Sequence, residues 1–144
     1  MTLENLTTSA IQLLKDLIEI PSFSSEEHLT AARIEAWFIN YKIPFQRTQN
    51  NIWATNADFD PSKPTLLLNS HHDTVKPNNG YTKDPFKAQV EDGKLFGLGS
   101  NDAGGCLVSL MATFTYFYAH KNLNYNLVIV ASAEEESSGD AGLN

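Results

Sequence analysis

The stretch Thr65-Leu66-Leu67-Leu68-Asn69-Ser70-His71-His72-Asp73 places an apolar run directly before a polar cluster. The run is short and bounded by polar residues, which predicts a buried strand. Residues 126–131, with the sequence NLVIVA, predict a second interior strand, and a helical pattern of apolar residues lies between the two, from Ala103 to about His120. Strands that alternate with helices predict an α/β fold, and we expect a mixed sheet flanked by helices.

The flanking segments carry signals for further elements. Apolar residues at helical spacing predict an amphipathic helix over about residues 8–19. Ser24 and Glu27 have the spacing of a capping box, which predicts that a second helix begins there. Asp92-Gly93 favours the tight turn of a β-hairpin, because that turn needs positive φ angles.

Composition and charge limit the class of protein. The chain has 144 residues, 42% of them hydrophobic, which is enough for one domain with a core. Ten Lys and Arg against seventeen Asp and Glu give a net charge of −7, which disfavours nucleic acid and anionic membranes as partners. Cys106 is the lone cysteine, and the first twenty residues mix charged with apolar side chains. We therefore expect a cytoplasmic protein without a membrane anchor.

The first polar cluster, at the end of the strand that begins at Thr65, has the pattern His-x-Asp. In an extended segment His71 and Asp73 share one face, and His72 points the opposite way. A carboxylate can then orient the imidazole through one nitrogen while the other nitrogen binds a metal. An isolated His-x-Asp is more often two polar residues that merely end a strand.

The second cluster is glycine-rich and surrounds Asp102. A dinucleotide fingerprint beginning at Gly97 would require glycine at position 102, and the aspartate there would repel a pyrophosphate. Small neighbours such as Gly104 instead allow close approach to Asp102, which suits a carboxylate that bridges metals. The alternative is a plain helix N-cap aspartate in a glycine-rich turn.

The third cluster, Glu134-Glu135-Glu136, follows the second predicted strand. Three neighbouring carboxylates repel one another unless a cation or proton intervenes, so a metal would relieve their proximity. One glutamate can bind a metal while its neighbour acts as a general base. The alternative is a solvated acidic loop or the first turn of a helix. One histidine combined with carboxylates favours Zn²⁺, Co²⁺ or Mn²⁺ over Ca²⁺.

Taken together, these motifs resemble the M20 metallopeptidase family, which includes acetylornithine deacetylases, succinyl-diaminopimelate desuccinylases and dipeptidases with two metals. The motifs occur in order along nearly the whole chain: Ile20-Pro21-Ser22 with Ser24, Ser70-His71-His72-Asp73-Thr74-Val75, Asp84-Pro85-Phe86, Asp92-Gly93-Lys94-Leu95-Phe96-Gly97, the loop around Asp102, and Ala131-Ser132-Ala133-Glu134-Glu135-Glu136. The resemblance implies a zinc-aminopeptidase-like catalytic domain.

The resemblance also implies roles for individual residues. His71 would bind one metal with support from Asp73, and Asp102 would bridge two zinc ions beside a cis peptide bond to Ala103. Glu135 would be the general base and Glu136 the ligand of the second metal. A shift of one residue in the alignment would give these two roles to Glu134 and Glu135 instead.

The implied activity is hydrolysis of the amide of an N-acyl amino acid in arginine biosynthesis. The family often has Asp-x-Lys-Gly where this chain has Asp102-Ala103-Gly104-Gly105, a departure that resembles the acetylornithine or acetylcitrulline deacetylases. Family members also have further ligands, a lid domain and often a dimer. Residues 1–144 are therefore expected to be the amino-terminal part of a catalytic domain, without the lid, from a homodimeric parent. A dipeptidase, a non-catalytic fragment and, weakly, a nucleotide-binding domain are the alternatives.

Overall fold

The computed structural model describes residues 2–140 and 142. The described helices are α1 (Leu3–Glu19), α2 (His28–Asn40) and α3 (Gly105–Phe117). The described strands are β1 (Gln46–Thr48), β2 (Asn51–Thr55), β3 (Thr65–His71), β4 (Gln89–Glu91), β5 (Lys94–Phe96) and β6 (Asn126–Ser132). An irregular turn, Ser100–Gly104, leads directly into α3.

Four strands form a mixed sheet in the order β1-β2-β6-β3. The pairs β1–β2 and β2–β6 are antiparallel, and β3 runs parallel to β6. Strands β4 and β5 form a separate hairpin, whose turn residues Asp92 and Gly93 have φ angles of 50° and 73°. The α/β class with a mixed sheet and helices is confirmed, and so is the hairpin.

One hydrophobic core joins the helices to the sheet. Its strand members alternate along the chain, at Ile52 and Ala54 in β2 and at Leu127 and Ile129 in β6. Because alternate side chains of a strand share a face, the core lies on one face of the sheet. Buried residues from α1, α2 and α3 complete it, among them Leu13, Ile34, Phe38, Met111 and Phe114.

The helix boundaries differ from the sequence predictions in ways that side chains explain. Helix α1 begins at Leu3 rather than near residue 8, because the Thr2 hydroxyl caps it by accepting a 3.2 Å hydrogen bond from the Asn5 N–H. The predicted capping box is wrong. Helix α2 begins after Glu27, and the Ser24 hydroxyl donates to Asp73 instead of capping the helix.

The sequence predicts a buried strand from Thr65, but β3 lies at an edge of the described sheet. Its Leu66 and Leu67, whose side chains lie on opposite faces of the strand, are 49% and 54% exposed. A sequence run reports the apolar character of a strand but not its position in a sheet. In the part of the chain that the structure describes, no helix is long and apolar enough to cross a membrane.

The parallel pairing of β3 and β6 positions the polar clusters. His71 at the end of β3 is paired in register with Ser132 at the end of β6. The segments that follow these strands therefore leave the sheet at the same edge, where open α/β sheets usually bind ligands.

Candidate metal centre

Three segments meet at the carboxyl edge of the sheet and bring together one histidine and two carboxylates. Ligand atoms of His71, Asp102 and Glu136 all lie within 4.8 Å of one another. They come from the end of β3, from the turn before α3 and from the loop after β6. An imidazole combined with carboxylate oxygens is a donor set that suits zinc and similar divalent metals.

The His71 ring is held between two sets of oxygen atoms. Its Nδ1 lies 3.0 Å from the Asp73 carbonyl oxygen and 3.4 Å from the Asp73 carboxylate. Its Nε2 lies 3.2 Å from Asp102 Oδ1 and 3.6 Å from Glu135 Oε2. Acceptors on the Nδ1 side favour a proton on that nitrogen, so Nε2, which faces the carboxylates, is the nitrogen that a metal would bind.

The electrostatic surroundings of His71 favour its charged form. The hydrogen bond to Asp73 outweighs the effect of burial and raises the pKa of His71 to about 9. Glu135 contributes in the same direction. The oxygen atoms around both ring nitrogens therefore favour a positive charge at this position.

Asp73 is fully buried and connects this ring to the loop after β6. Its two carboxylate oxygens accept hydrogen bonds from the Ser24 hydroxyl at 2.7 Å and from the backbone N–H groups of Glu135 and Glu136 at 3.1 Å each. Burial alone would raise the pKa of Asp73, but these bonds and the one to His71 outweigh it and lower that pKa to about 2. Asp73 is therefore an anion at neutral pH.

His72 occupies the opposite side of the chain, as the alternation of a strand predicts. Its Nδ1 lies 2.9 Å from the Thr30 hydroxyl and its Nε2 lies 3.0 Å from the Asn50 carbonyl oxygen. Burial lowers the pKa of His72 and keeps the ring neutral. The ring joins α2 to the turn between β1 and β2, which is a structural role.

The Asp102 turn is compact, and the Asp102 carboxylate projects from it into solvent. The Asp102 side chain is 77% exposed, and its peptide bond to Ala103 is cis, as the family resemblance implies. The Gly104 N–H donates to the Gly99 carbonyl oxygen at 2.8 Å, and a Cβ on Gly104 would lie 2.6 Å from that oxygen. Glycine at position 104 is therefore required for this close approach.

The side chains of the neighbouring residues Glu134, Glu135 and Glu136 lie in different surroundings. Glu136 lies with His71 and Asp102, and burial together with the Asp102 charge raises the pKa of Glu136. The Glu135 carboxylate is 59% exposed and lies beside the His71 ring. Glu134 instead accepts a 2.9 Å hydrogen bond from the Ser25 hydroxyl, and its backbone N–H donates to Glu27.

A cavity of about 220 Å³ adjoins the centre. Asp102 and Glu136 form part of its wall, and Thr74, Tyr81 and Gly97 form another part. A larger, mostly apolar cavity of about 650 Å³ lies between α1 and α3 and contains none of the three candidate ligands. Of these two cavities, the smaller one adjoins the candidate ligands.

Sequence reasoning missed two residues that support the centre. Ser24 was assigned to a helix cap, and its contact with Asp73 spans 49 positions of the chain. Glu27 was assigned to the same cap, yet it is fully buried and accepts hydrogen bonds from three segments. The spacing of Ser24 and Glu27 drew attention to this segment as a helix cap, whereas both side chains bind residues far away in the sequence. A local motif cannot report such distant partners.

Comparisons with known proteins agree with this arrangement. The model of peptidase family M20/M25/M40 matches residues 67–144, which is just over half of the chain. A succinyl-diaminopimelate desuccinylase from Xylella fastidiosa is 29% identical over 143 residues, and the alignment covers 94% of this chain. An acetylornithine deacetylase from Edwardsiella ictaluri is 32% identical and covers 90% of this chain. In both cases the chain spans 37% of the relative's own length.

The fold is shared with a solved structure. Human carnosine dipeptidase 1 superposes with a TM-score of 0.74 at 21% identity, over 96% of this chain and 34% of that protein. The family match extends from within β3 through the Asp102 turn to the loop after β6, and so contains the three candidate ligands and the Asp73 that orients one of them. The chain belongs to peptidase family M20/M25/M40.

Proposed function

We propose that the protein is a divalent-metal-dependent hydrolase that cleaves the amide bond of an N-acyl amino acid. The observation that carries the proposal is the cluster of His71, Asp102 and Glu136 ligand atoms within 4.8 Å, with the exposed Glu135 carboxylate beside it. The relatives named as a deacetylase and a desuccinylase support this class of substrate.

The donor set fits the metal that the family implies. His71 Nε2, Asp102 and Glu136 would supply ligands to the two metals of the whole protein, with zinc as the first choice and cobalt or manganese as alternatives. Asp102 is proposed to serve two metals in the whole protein. A bound divalent metal supplies Lewis-acid chemistry, which polarises an amide carbonyl and makes water more acidic.

Two further residues of the chain have proposed roles, one in orienting a ligand and one in proton transfer. Asp73 holds the His71 ring through Nδ1, so that Nε2 stays directed at the centre. The Glu135 carboxylate is proposed to accept a proton from the attacking water and to give it to the leaving amine. The position of Glu136 with His71 and Asp102, while Glu134 bonds to Ser25 and Glu27, supports the alignment in which Glu135 is the base.

More specifically, the protein is proposed to be an acetylornithine or acetylcitrulline deacetylase of arginine biosynthesis. It is proposed to act in the cytoplasm as a homodimer. Its support is the resemblance of the Asp102-Ala103-Gly104-Gly105 sequence and the identity to the Edwardsiella ictaluri deacetylase. Residues 1–144 are proposed to be the amino-terminal part of the catalytic domain.

The test is an assay of the whole protein that carries this chain, supplied with zinc or cobalt. N-acetylated amino acids and dipeptides are compared as substrates for wild type, Glu135→Gln and the exposed control Glu19→Gln. We expect deacetylation to fall by about 10²- to 10⁴-fold in Glu135→Gln and to be unchanged in Glu19→Gln. Unchanged turnover in Glu135→Gln would contradict the mechanism, and hydrolysis of dipeptides alone would assign the protein to the dipeptidases.

A further inference from the structure

The connector between α1 and α2, residues 22–27, runs beside the segment that follows β3. The Thr74 N–H donates to the Ser22 carbonyl oxygen at 2.8 Å, and the Ser22 hydroxyl donates to the His72 carbonyl oxygen at 2.9 Å. Phe23 forms an isolated parallel bridge with Thr74. The connector is thus fixed to the segment that carries the His-x-Asp motif by hydrogen bonds on both sides of Asp73.

Ser24 reaches from this connector to the buried carboxylate of Asp73. Its hydroxyl donates to Oδ2 at 2.7 Å, and the same oxygen accepts the Glu136 N–H at 3.1 Å. The other oxygen, Oδ1, accepts the Glu135 N–H and lies 3.4 Å from His71 Nδ1. One carboxylate therefore serves both the histidine and the acidic loop, and the Ser24 hydroxyl helps to fix its rotation.

Glu27 holds the acidic loop at a second point. Its Oε1 accepts hydrogen bonds from the N–H groups of Ser25 at 2.7 Å and Glu134 at 3.2 Å, and its Oε2 accepts from Asn50 Nδ2 at 2.9 Å. The Ser25 hydroxyl also donates to the Glu134 carboxylate at 2.9 Å. The connector therefore holds Glu134 directly and holds the next two glutamates through Asp73.

We propose that residues 22–27 are the positioning element of the metal centre, with Ser24 acting through Asp73 as its main positioning residue. The inference rests on the proposed function, because it concerns the same ligands. Without the Ser24 hydroxyl, the buried Asp73 carboxylate loses a hydrogen bond and is freer to turn away from the Glu136 N–H and from His71. The ligands are then less well prepared for a metal, and loss of such an outer partner typically weakens metal binding by about 10- to 100-fold.

The test is a titration of the whole protein that carries this chain with Co²⁺ alone, followed by the visible absorption of the bound ion, for wild type, Ser24→Ala, Ser24→Thr and Ser62→Ala. Ser62 is a matched control because its hydroxyl also donates to an aspartate oxygen at 2.7 Å, on Asp60, in an exposed loop. We expect Ser24→Ala to bind Co²⁺ about 10-fold more weakly, with altered absorption bands. Ser24→Thr, which keeps a hydroxyl, is expected to recover the wild-type spectrum, and Ser62→Ala to match wild type.

Two results would overturn the inference in distinguishable ways. Equal affinity and identical spectra for wild type and Ser24→Ala would show that the connector does not position the ligands, while the proposed function would stand. Absence of Co²⁺ binding by wild type would overturn the proposed function, and the inference with it. If Ser24→Ala does not fold, Glu27→Gln with Glu19→Gln as its control provides the same comparison, since position 27 contacts the acidic loop and Glu19 is exposed outside the connector.

Discussion

His71 and His72 are adjacent in the chain but lie in opposite environments. His71 faces the carboxylates of Asp73, Asp102 and Glu135, and the hydrogen bond to Asp73, with a contribution from Glu135, raises the pKa of His71 to about 9. His72 faces the Thr30 hydroxyl and the Asn50 carbonyl oxygen, and burial lowers its pKa. The alternation of an extended chain is enough to separate a candidate ligand from a structural residue, although the two side chains are chemically identical.

The largest expected effect separates the two histidines by metal binding. We expect His71→Gln to weaken zinc binding by more than about 100-fold, because it removes a ligand, whereas the loss of an outer partner costs 10- to 100-fold. His72→Gln leaves all three candidate ligands in place and is expected to bind zinc much more tightly than His71→Gln. Competition titration with a chromophoric chelator measures both affinities. Equal losses in the two variants would contradict the division of roles.

A second effect separates the histidines by stability. In metal-free protein, His72→Gln is expected to lower the free energy of unfolding by about 1–3 kcal/mol, because the buried partners of His72 lose their hydrogen bonds. His28 lies exposed on α2, so His28→Gln is the control and should change little. Urea unfolding followed by far-UV circular dichroism measures the difference. If both variants unfold at the same urea concentration, the structural role of His72 is wrong.

The smallest expected effect is a pH dependence of opposite sign at the two rings. The pKa of His71 is raised on folding, so its contribution to the stability of metal-free protein is complete below pH 6.5 and is lost as the pH rises through about 9. The pKa of His72 is lowered on folding, so the unfolded chain binds the proton more tightly and stability falls as the pH drops below about 6.5.

The dependence of stability on pH at each ring also reflects the charged groups around that ring. His71 faces Asp73, Asp102 and Glu135, while Glu27 and Asp73 act on His72 at longer range. Urea unfolding at several pH values should show that His71→Gln flattens the alkaline slope and that His72→Gln flattens the acid slope. A reversed pattern would contradict the assigned environments.

The comparison also shows why part of the site could be predicted from sequence. The clusters at His71 and at Glu134–Glu136 each follow an apolar run, and parallel pairing of β3 with β6 brings such clusters to one edge. The close approach that Gly104 permits beside Asp102 follows from residue size alone. Short-range patterns therefore predicted which segments meet.

Contacts between distant segments could not be predicted in this way. Ser24 and Asp73 are 49 residues apart. The spacing of Ser24 and Glu27 matches a capping box that does not form, and it gives no sign of the contact with Asp73. The edge position of β3 depends on which strands pair with it, and its leucines do not encode that. Glu27 is buried because Asn50 and Glu134 donate to it from two other segments, which no local signal reports.

The central claim is that His71, Asp102 and Glu136 form one metal centre. Its most direct test is the zinc content of the whole protein that carries this chain, measured by elemental analysis after equilibrium dialysis, for wild type, Asp102→Ala and the exposed control Asp58→Ala. The account predicts that wild type and Asp58→Ala retain zinc and that Asp102→Ala loses it. Equal zinc content in all three proteins, or none in wild type, would contradict the account.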